Sequence, residues 1–509
     1  MTGYRVPLIV RGEIIKGDEV EFGGRNPDTR FRTVNVRDHL ERLPLRRPSA
    51  LADLHALSFA DILDYCEELG ARLELGKNRH LQEALGLTIA TSGLGEPILR
   101  ATYETLGRRF SRDQLRDEAD LLIGIPFLEG WVNTRSKDGV ETFVRAFGAR
   151  ALHIIAGNVP IVAAMTVARN TLTRSDIIIK TPSNDPLTAV AIAQTMIEMA
   201  PDHPITRHIS VGYWKGGDTE IEERLYQPRN LEKIVAWGGL GSIKHITRYI
   251  QPGIDLITLD PKLSSSIIGR AAFDTDDAMR EAARRLALDI AVFNQQGCLN
   301  ARVVYAETGT DPEGVALANR FGEMVFAAIQ EVPAHLSNGV ERIDPALAEE
   351  IEGLRWSADL HKVYGGDGRG GVIVSQTDEP VEFSTLLNNR IANIVPVDNL
   401  EAPIGAVNSY TQTVGIHPPE LIDQLRDRLA YHGVQRIVAL GYVVTQRTVA
   451  GPQDSIEPLR RMCRWILSER HDPDRIPYWP WPPADEAQAK LPAHQATALD
   501  PPSPAVVPR

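Results

Sequence analysis

The chain has 509 residues, of which 43% are hydrophobic and 24% charged, the composition of an ordinary soluble globular protein. Its formal net charge of −12 argues against non-specific nucleic-acid binding, because such binding requires a basic surface. The three cysteines, Cys66, Cys298 and Cys463, are too few for a disulfide framework, and no stretch approaches the ~20 apolar residues of a membrane span. We therefore expect a soluble, cytoplasmic protein with no nucleic-acid partner, no integral membrane segment and no metal site.

The first part of the chain predicts strands followed by helices. Residues 1–20 alternate apolar and polar side chains and predict one or two edge strands. From about Ser49 to Phe127, apolar residues recur at spacings of three and four, with Ser and Asp at suitable helix starts. We expect a helical layer there.

From Ala151 onward, short β-branched runs alternate with helical segments. The predicted strands are 151–157, 174–181, 208–214, 233–239 and 255–260. Five apolar strands with intervening helices predict βαβ units and a parallel sheet covered on both faces. Right-handed crossovers make this a Rossmann-like layer.

A second α/β unit follows. Asp274–Asp277 can cap a helix that runs to about Phe293. Further strands are predicted at 300–307, 370–376, 392–397, 411–416 and 435–441, of which the last is apolar enough to be central. After Ser468 prolines break any regular pattern, and residues 484–509 predict a disordered tail.

Cys298 is the first candidate for chemistry. It lies in FNQQGCLN, between the predicted helix and the next strand, and Gly297 beside it permits a sharp turn and a close approach to a ligand. A thiol in such a loop is a nucleophile when neighbouring dipoles favour the thiolate. The alternative is a small buried hydrophobic side chain, which is our interpretation of Cys66 and Cys463 on their helical patterns.

The segment around Cys298, Asn-x-x-Gly-Cys after a long helix, resembles the nucleophile segment of the aldehyde dehydrogenase superfamily. HIIAGNVP (153–160) is similar to the segment in which that superfamily carries an oxyanion-binding asparagine, here Asn158. A carboxamide donor aimed at a developing alkoxide suits that role. The alternative is that Asn158 only caps a helix starting at Pro160.

Two further segments resemble the cofactor-binding strands of the same superfamily. In IIIKTPSNDP (177–186), Lys180 takes the position of a lysine that reaches the adenosine ribose, with Ser183 nearby; a 2′-phosphate there would favour NADP. In IVAWGGLGSIKHI (234–246), Trp237, Gly238, Gly239 and Gly241 form a strand-to-helix turn where pyrophosphate could bind. The alternatives are a solvated strand-end lysine and an ordinary tight turn.

Departures from the superfamily pattern indicate the subclass. In ITLDPKLSSSII (257–268), Thr258 stands where aldehyde-oxidising members carry a glutamate base, and a second glutamate is missing near Ala392. Hydrolysis of a thioester requires a base that activates water. We therefore expect that no carboxylate activates water for hydrolysis of an acyl-enzyme. This absence favours an acylating or acyl-reducing enzyme.

The motifs AGNVP, KTPSNDP, VAWGGLGSIKHI, NQQGC, IVPVDNLEA, QTVGI, QRIVALG and GPQDSIEPL, in this order, resemble the long-chain fatty acyl-CoA reductase family. That family includes the reductase subunits of bacterial luminescence fatty-acid reductase complexes. One departure lies in GPQDSIEPL (451–459), where Gln453 and Ser455 replace an expected histidine and glycine around the aspartate.

The resemblance implies an α/β, aldehyde dehydrogenase-like fold with a Rossmann-like cofactor domain and an α/β catalytic domain. The expected divisions are an N-terminal segment and cofactor-binding domain (1–265), a catalytic domain (266–440), a C-terminal segment returning to the cofactor domain (441–483) and the tail (484–509). It also implies NADPH-dependent reduction of an acyl-CoA or other acyl thioester to the aldehyde through a Cys298 acyl-enzyme. Asn158 and the backbone N–H of Cys298 would bind the oxyanion, and an acyl-protein synthetase or acyl carrier partner and a homo-oligomer are expected.

Three alternatives remain open from the sequence. An oxidising NAD(P)-dependent aldehyde dehydrogenase is disfavoured by Thr258, and an acyl-carrying transferase subunit without reduction is disfavoured by the presence of Lys180 and the glycine turn. In a non-catalytic scaffold, Cys298 would react with alkylating agents no faster than the other two cysteines.

Overall fold

The structure is a computed structural model that describes residues 4–24, 29–137, 140–259, 262–340, 343–444 and 451–471. The predicted tail at 484–509 lies outside these residues, as does most of the C-terminal proline-rich segment. Within the described part the chain forms one large unit and a smaller one built mainly from 131–145 and the chain after Trp465.

The predicted helical layer is confirmed. Its helices are Ala52–His55, Phe59–Arg72, Arg79–Thr91, Glu96–Thr105, Arg112–Leu122 and Ile125–Glu129. The second begins at a capping box, in which Ser58 and Asp61 exchange hydrogen bonds and satisfy free N–H groups of the first turn. The apolar faces of these helices share one core with Ile161–Leu172 and Thr188–Met199, so the layer supports one face of the first large sheet.

The first large sheet has seven strands. In spatial order they are Asp255–Leu259, Lys233–Trp237, Arg150–Ile154, Asp176–Lys180, Ile209–Gly212, Leu8–Val10 and Glu13–Ile15. The first five are parallel, as predicted, and their crossovers contain Ile161–Leu172, Thr188–Met199, Pro204–Arg207, Thr219–Leu225 and Leu240–Ile246. Every residue of Arg150–Ile154 and Asp176–Lys180 is buried, which is the burial expected of strands covered on both faces.

The N-terminal segment is richer in strands than predicted. Leu8–Val10 adds an antiparallel edge to the first large sheet, and Glu13–Ile15 pairs with it. A separate three-stranded sheet consists of Tyr4–Val6, Arg30–Val34 and Glu19–Gly23. The prediction of one or two strands was too low because three-residue strands leave almost no periodicity to detect.

The second large sheet also has seven strands. In spatial order they are His361–Asp367, Gly370–Ser375, Ile391–Pro396, Ala301–Ala306, Leu263–Ile268, Thr411–His417 and Arg436–Ala439. Its helices are Asp276–Ala291, Pro312–Glu331, Pro345–Arg355, Glu401–Ala406 and Leu421–Tyr431. All pairings are parallel except that of the first two strands.

Two strands of this sheet differ from the sequence prediction. Arg436–Ala439 was predicted to be central but is an edge strand that pairs only with Thr411–His417 in the described part of the chain. A short apolar run indicates burial and does not indicate how many strands flank it. The sequence prediction did not identify Leu263–Ile268 as a strand separate from the one before it, because three consecutive serines interrupt its apolar character.

A smaller sheet is formed by Val132–Lys137, Val140–Phe147 and Arg464–His471, the last of which follows the short helix Pro458–Met462. Met462 packs in a small cluster with Val235 and Ile257 of the first large sheet. The domain boundaries remain predictions. Among the described residues, no helix is both long and apolar enough to cross a bilayer.

Candidate active site

The carboxyl edge of the first large sheet contains the point where the strand order reverses. Arg150–Ile154 pairs on one side with Asp176–Lys180, which follows it in sequence, and on the other with Lys233–Trp237. In open α/β sheets, loops leaving such neighbouring strands in opposite directions form a crevice for ligands. Asn158, Lys180 and the glycine turn all follow the carboxyl ends of these three strands.

Lys180 is the last residue of its strand and is almost fully buried, with Ser183 partly exposed three residues later. Its Nζ lies 5.9 Å from the ring centre of Tyr213 and 5.6 Å from that of Trp214. Burial lowers the pKa of this lysine to about 8, although the charge of Glu222 acts in the opposite direction. In the described part of the chain no ion pair holds the Lys180 ammonium group, so this group is available to bind an anionic ligand.

The glycine turn follows Trp237, which is partly exposed at the end of its strand. Gly239 is the N-cap of Leu240–Ile246 and provides no side-chain cap. A Cβ atom at Gly239 or Gly241 would meet nothing within 4 Å, while one at Gly238 would lie 3.2 Å from the Ser242 side chain. Packing against the described residues therefore does not explain the glycines at 239 and 241, and this open space can take a ligand.

The loop that carries Cys298 has an unusual backbone. After the helix Asp276–Ala291, three consecutive residues, Phe293, Asn294 and Gln295, have φ angles of 55°, 50° and 60°. Left-handed conformations are unfavourable for such side chains and persist where the surroundings enforce them. The helix that was expected to run to about Phe293 therefore ends at Ala291, where the backbone leaves the helical conformation.

Gln295 enforces part of that conformation. Its side chain is fully buried, and Nε2 donates to the carbonyls of Ala301 at 2.8 Å and Ile391 at 2.9 Å. Its Oε1 accepts from the backbone N–H of Ile391 at 2.9 Å. Asn294 Oδ1 accepts from the backbone N–H of Asn338 at 2.9 Å. The loop is thus tied to neighbouring strands by side-chain hydrogen bonds.

Asn300 and Ser264 hold the other side of the loop. Asn300 is fully buried, and its Nδ2 lies 3.0–3.2 Å from three carbonyls at the end of the preceding helix, those of residues 289, 290 and 292. Its Oδ1 accepts from the N–H of Gly297 at 3.0 Å. Ser264 Oγ donates to the carbonyl of Cys298 at 2.7 Å. These bonds place Cys298 at the amino end of the strand Ala301–Ala306.

The Cys298 thiol is partly buried, and two groups facing it carry charge. Burial is the main cause that raises the pKa of this thiol, and the carboxylate of Asp454 raises it further. A hydrogen bond from the Gln412 side chain and the charge of Arg302 act in the opposite direction. The other two cysteines are completely buried, and burial raises the pKa of each thiol to about 12.

Asn158 lies beside the Cys298 loop. Its Nδ2 donates to the carbonyl of Gln296 at 3.0 Å. This bond joins the segment after the strand Arg150–Ile154 of the first large sheet to the Cys298 loop, which precedes a strand of the second. The alternative role as a helix cap does not apply, because the helix Ile161–Leu172 has Pro160 as its N-cap and no side-chain cap. The carbonyl can only accept, so this bond turns the amide nitrogen, rather than the oxygen, toward the loop.

The sequence analysis missed two residues at this site. Gln412 Nε2 donates to Asp454 Oδ1 at 2.5 Å, and hydrogen bonding by the Gln412 side chain lowers the pKa of the Cys298 thiol. The expectation that no carboxylate activates water for hydrolysis of an acyl-enzyme rested on Thr258, which pairs with Ala236, and it stays a prediction. Asp454 is a carboxylate whose charge raises the pKa of the thiol. The signal was present in the motifs at 411–416 and 451–459, but neither spacing nor composition connects them with Cys298.

Comparisons with known proteins agree with this arrangement. Residues 54–465 match the family "Acyl-CoA reductase (LuxC)". A long-chain acyl-protein thioester reductase of Photorhabdus laumondii is 33% identical over 65% of this chain and 66% of its own length, just under two thirds. One of Vibrio harveyi is 25% identical over 91% of this chain and 93% of its own.

Solved structures show the same architecture. Lactaldehyde dehydrogenase from Escherichia coli superposes with a TM-score of 0.69 and 16% identity, covering 92% of this chain and 100% of that one. NADP-dependent glyceraldehyde-3-phosphate dehydrogenase from Bacillus halodurans gives 0.67 and 13%, covering 92% and 99%. The fold is that of the aldehyde dehydrogenases, and the chain belongs to the acyl-CoA reductase (LuxC) family.

Proposed function

We propose that this protein reduces a long-chain acyl thioester to the aldehyde with NADPH, through an acyl-enzyme on Cys298. The observation that carries the proposal is the hydrogen bond from Asn158 to the carbonyl of Gln296, which brings an amide donor to the loop of the only partly exposed cysteine of the three. The names of the relatives, long-chain acyl-protein thioester reductases, support the same reaction.

The protein's part in acyl transfer is to position the thiol and stabilise charge. Cys298 attacks the acyl carbonyl, and the bond to the departing thiol breaks, leaving a thioester on the enzyme. One N–H of Asn158 is held by Gln296, and the second, with the backbone N–H of Cys298, donates to the oxyanion that develops. Dividing the reduction in this way replaces one difficult step with two easier ones.

The residues at the carboxyl edge of the first large sheet fit a dinucleotide. Lys180 offers a buried cation to a ribose or a 2′-phosphate, with Ser183 beside it, and Trp237, Gly238, Gly239 and Gly241 leave open space for a pyrophosphate. NADPH supplies the hydride when bound. The protein orients the thioester toward it, and Asn158 stabilises the negative charge that returns to the carbonyl oxygen before Cys298 leaves.

The acyl donor is an acyl-CoA or a protein-bound acyl thioester. The relatives' names, which print acyl-protein thioester, favour a protein-bound donor, for which we propose an acyl carrier protein or an acylated synthetase; we also propose that the enzyme acts as a homo-oligomer. Thr258 in place of a glutamate favours reduction over hydrolysis, because no base at that position activates water.

Incubation of the purified protein with acyl-CoAs of several chain lengths and NADPH tests the proposal. We expect NADPH oxidation and aldehyde formation in equal amounts, with no reaction in Cys298→Ala. Formation of fatty acid without NADPH oxidation would identify hydrolysis of the thioester. In the reverse assay, oxidation of an aldehyde to the acid with NADP+ in the absence of CoA would identify an oxidising aldehyde dehydrogenase. Acylation of Cys298 without NADPH binding would identify an acyl-carrying transferase, and alkylation of Cys298 no faster than that of Cys66 or Cys463 would identify a scaffold.

A further inference from the structure

The segment 451–457 forms a tight turn with unfavourable backbone angles. Gln453 and Ile456 exchange backbone hydrogen bonds of 2.9 and 3.0 Å, and the two residues between them, Asp454 and Ser455, have φ angles of 54° and 62°. Two left-handed central residues are the mark of a type I′ turn, which favours Asn-Gly or Asp-Gly. Left-handed non-glycine residues persist only where the surrounding structure enforces them, and they concentrate at functional sites.

Hydrogen bonds fix this turn on both sides. Gln453 Oε1 accepts from Arg169 Nη1 at 3.1 Å, and Arg169 Nε in turn donates to Glu118 at 2.8 Å. Position 453, where the family resemblance leads one to expect histidine, therefore faces Arg169. Asp454 Oδ1 accepts from Gln412 Nε2 at 2.5 Å. The carboxylate at the tip of the turn is thus directed toward the second large sheet.

Gln412 connects Asp454 with the thiol. Its side chain is 4% exposed, and the N–H of the next residue, Thr413, donates at 3.2 Å to Ser264 Oγ, which donates at 2.7 Å to the carbonyl of Cys298. Hydrogen bonding by the Gln412 side chain lowers the pKa of the Cys298 thiol. A carboxylate only accepts hydrogen bonds, so Asp454 determines that Nε2 is the end of the amide that faces it. Gln412 Oε1 has no hydrogen-bond partner in the described part of the chain. The Gln412 side chain is therefore bonded to the Asp454 carboxylate, while its strand is joined through Ser264 to the Cys298 loop.

The Cys298 thiol requires a base. Burial and the negative charge of Asp454 raise its pKa, against the opposing effects of Gln412 and Arg302. A thiol that is neutral at physiological pH is a poor nucleophile and must lose its proton as it attacks. Among the described residues, the charged groups that shift this pKa are Arg302, which cannot accept a proton, and Asp454, which can.

We propose that Asp454 is the general base that accepts the Cys298 proton during acyl transfer, and that Gln412 is a positioning residue that holds both groups. This inference rests on the proposed function. The S–H bond breaks and the proton passes to the Asp454 carboxylate, directly or through one water, while the sulfur electron pair forms the bond to the acyl carbon. The carbon–sulfur bond of the donor then breaks, and its thiolate takes the proton from Asp454. Nothing is oxidised or reduced in this step.

Asp454→Asn tests the proposal, with Ser455→Gly as the matched control that changes the same turn and keeps the carboxylate. Two rates are measured on the full chain across a range of pH: alkylation of Cys298 by iodoacetamide, and acylation of Cys298 by an acyl-CoA and by an activated aryl ester, followed by intact mass. General-base catalysis is worth 10²–10⁴-fold, so we expect acylation at neutral pH to fall at least about 100-fold in Asp454→Asn. Alkylation is expected to shift to lower pH, because a negative charge beside the sulfur is lost.

The two rates therefore move in opposite directions if Asp454 is the base. If its charge only perturbs the thiol, the larger thiolate fraction in Asp454→Asn will accelerate both reactions, and that result overturns the proposal, as does a loss equal to that of Ser455→Gly. A solvent deuterium isotope effect on acylation of the unmodified protein gives a second reading that needs no variant: it is expected to be normal, and its absence contradicts a proton transfer.

The aryl ester separates this inference from the proposed function. If acyl-CoA does not acylate Cys298 but the aryl ester does, acyl-CoA is not the donor and a protein-bound acyl thioester takes its place in the proposed function. The ester rates in Asp454→Asn still decide the role of the carboxylate. If neither donor acylates Cys298 in the unmodified protein, both the acyl-enzyme and its base are refuted.

Discussion

Replacement of Asn158 by alanine separates the catalytic role of this side chain from its structural one. In the structure Nδ2 makes one hydrogen bond, to the carbonyl of Gln296 at 3.0 Å. Loss of that bond at a partly buried site should lower the free energy of unfolding by about 1 kcal/mol. Loss of a donor to the oxyanion should raise the barrier by about 3–4 kcal/mol, which corresponds to a 10²–10³-fold slower acyl transfer.

The difference between these two magnitudes is the measurable quantity. Chemical denaturation gives the change in stability, and single-turnover acylation of Cys298, followed by intact mass, gives the change in barrier. Alkylation of Cys298 serves as the control, because Asn158 bonds to the Gln296 carbonyl and its removal should leave the reactivity of the free thiol nearly unchanged. In Asn158→Asp, which has no donor at neutral pH, we expect a loss at least as large.

Two results would contradict the role of Asn158 as an oxyanion donor. If acylation in Asn158→Ala slows by less than about tenfold, the side chain does not stabilise the oxyanion. If acylation and alkylation fall together by the same factor, Asn158 acts by holding the loop in place, and its role is structural.

Three further changes have predicted outcomes. Ser455→Gly should raise the free energy of unfolding by about 1 kcal/mol, since glycine adopts the left-handed conformation without strain; a lower value in denaturation would contradict the type I′ turn. Gln295→Ala should lower it by about 2–4 kcal/mol, since buried backbone groups of Ala301 and Ile391 lose their partners, and unchanged stability would show that water replaces the amide. The Lys180 ammonium is populated below its pKa of about 8, so NADPH affinity, measured by fluorescence titration, should weaken as pH rises through that value; a flat profile, or one unchanged in Lys180→Met, would remove Lys180 from the nucleotide site.

The sequence by itself determined the features that depend on local chemistry. Runs such as Asp176–Lys180 are apolar enough to identify buried parallel strands, and glycines after Trp237 indicate an open turn. Asn158 and Lys180 were each assigned a role from their own motif, and both lie at the carboxyl edge because their parallel strands are neighbours. The motif around Cys298 pointed to the family because its residues are contiguous in the sequence.

The tertiary structure alone decided which distant segments meet. Arg436–Ala439 became an edge strand and Leu263–Ile268 a central one, although the first is the more apolar, because the order of strands depends on long-range pairing. For the same reason Asp454 and Gln412 could not be assigned to the thiol from the sequence. The turn that carries Asp454 is held by two hydrogen bonds. Arg169, on a helix of the first large sheet, bonds to Gln453, and Gln412, on a strand of the second large sheet, bonds to Asp454. Such convergence follows from packing between elements and leaves no periodic signal within either segment.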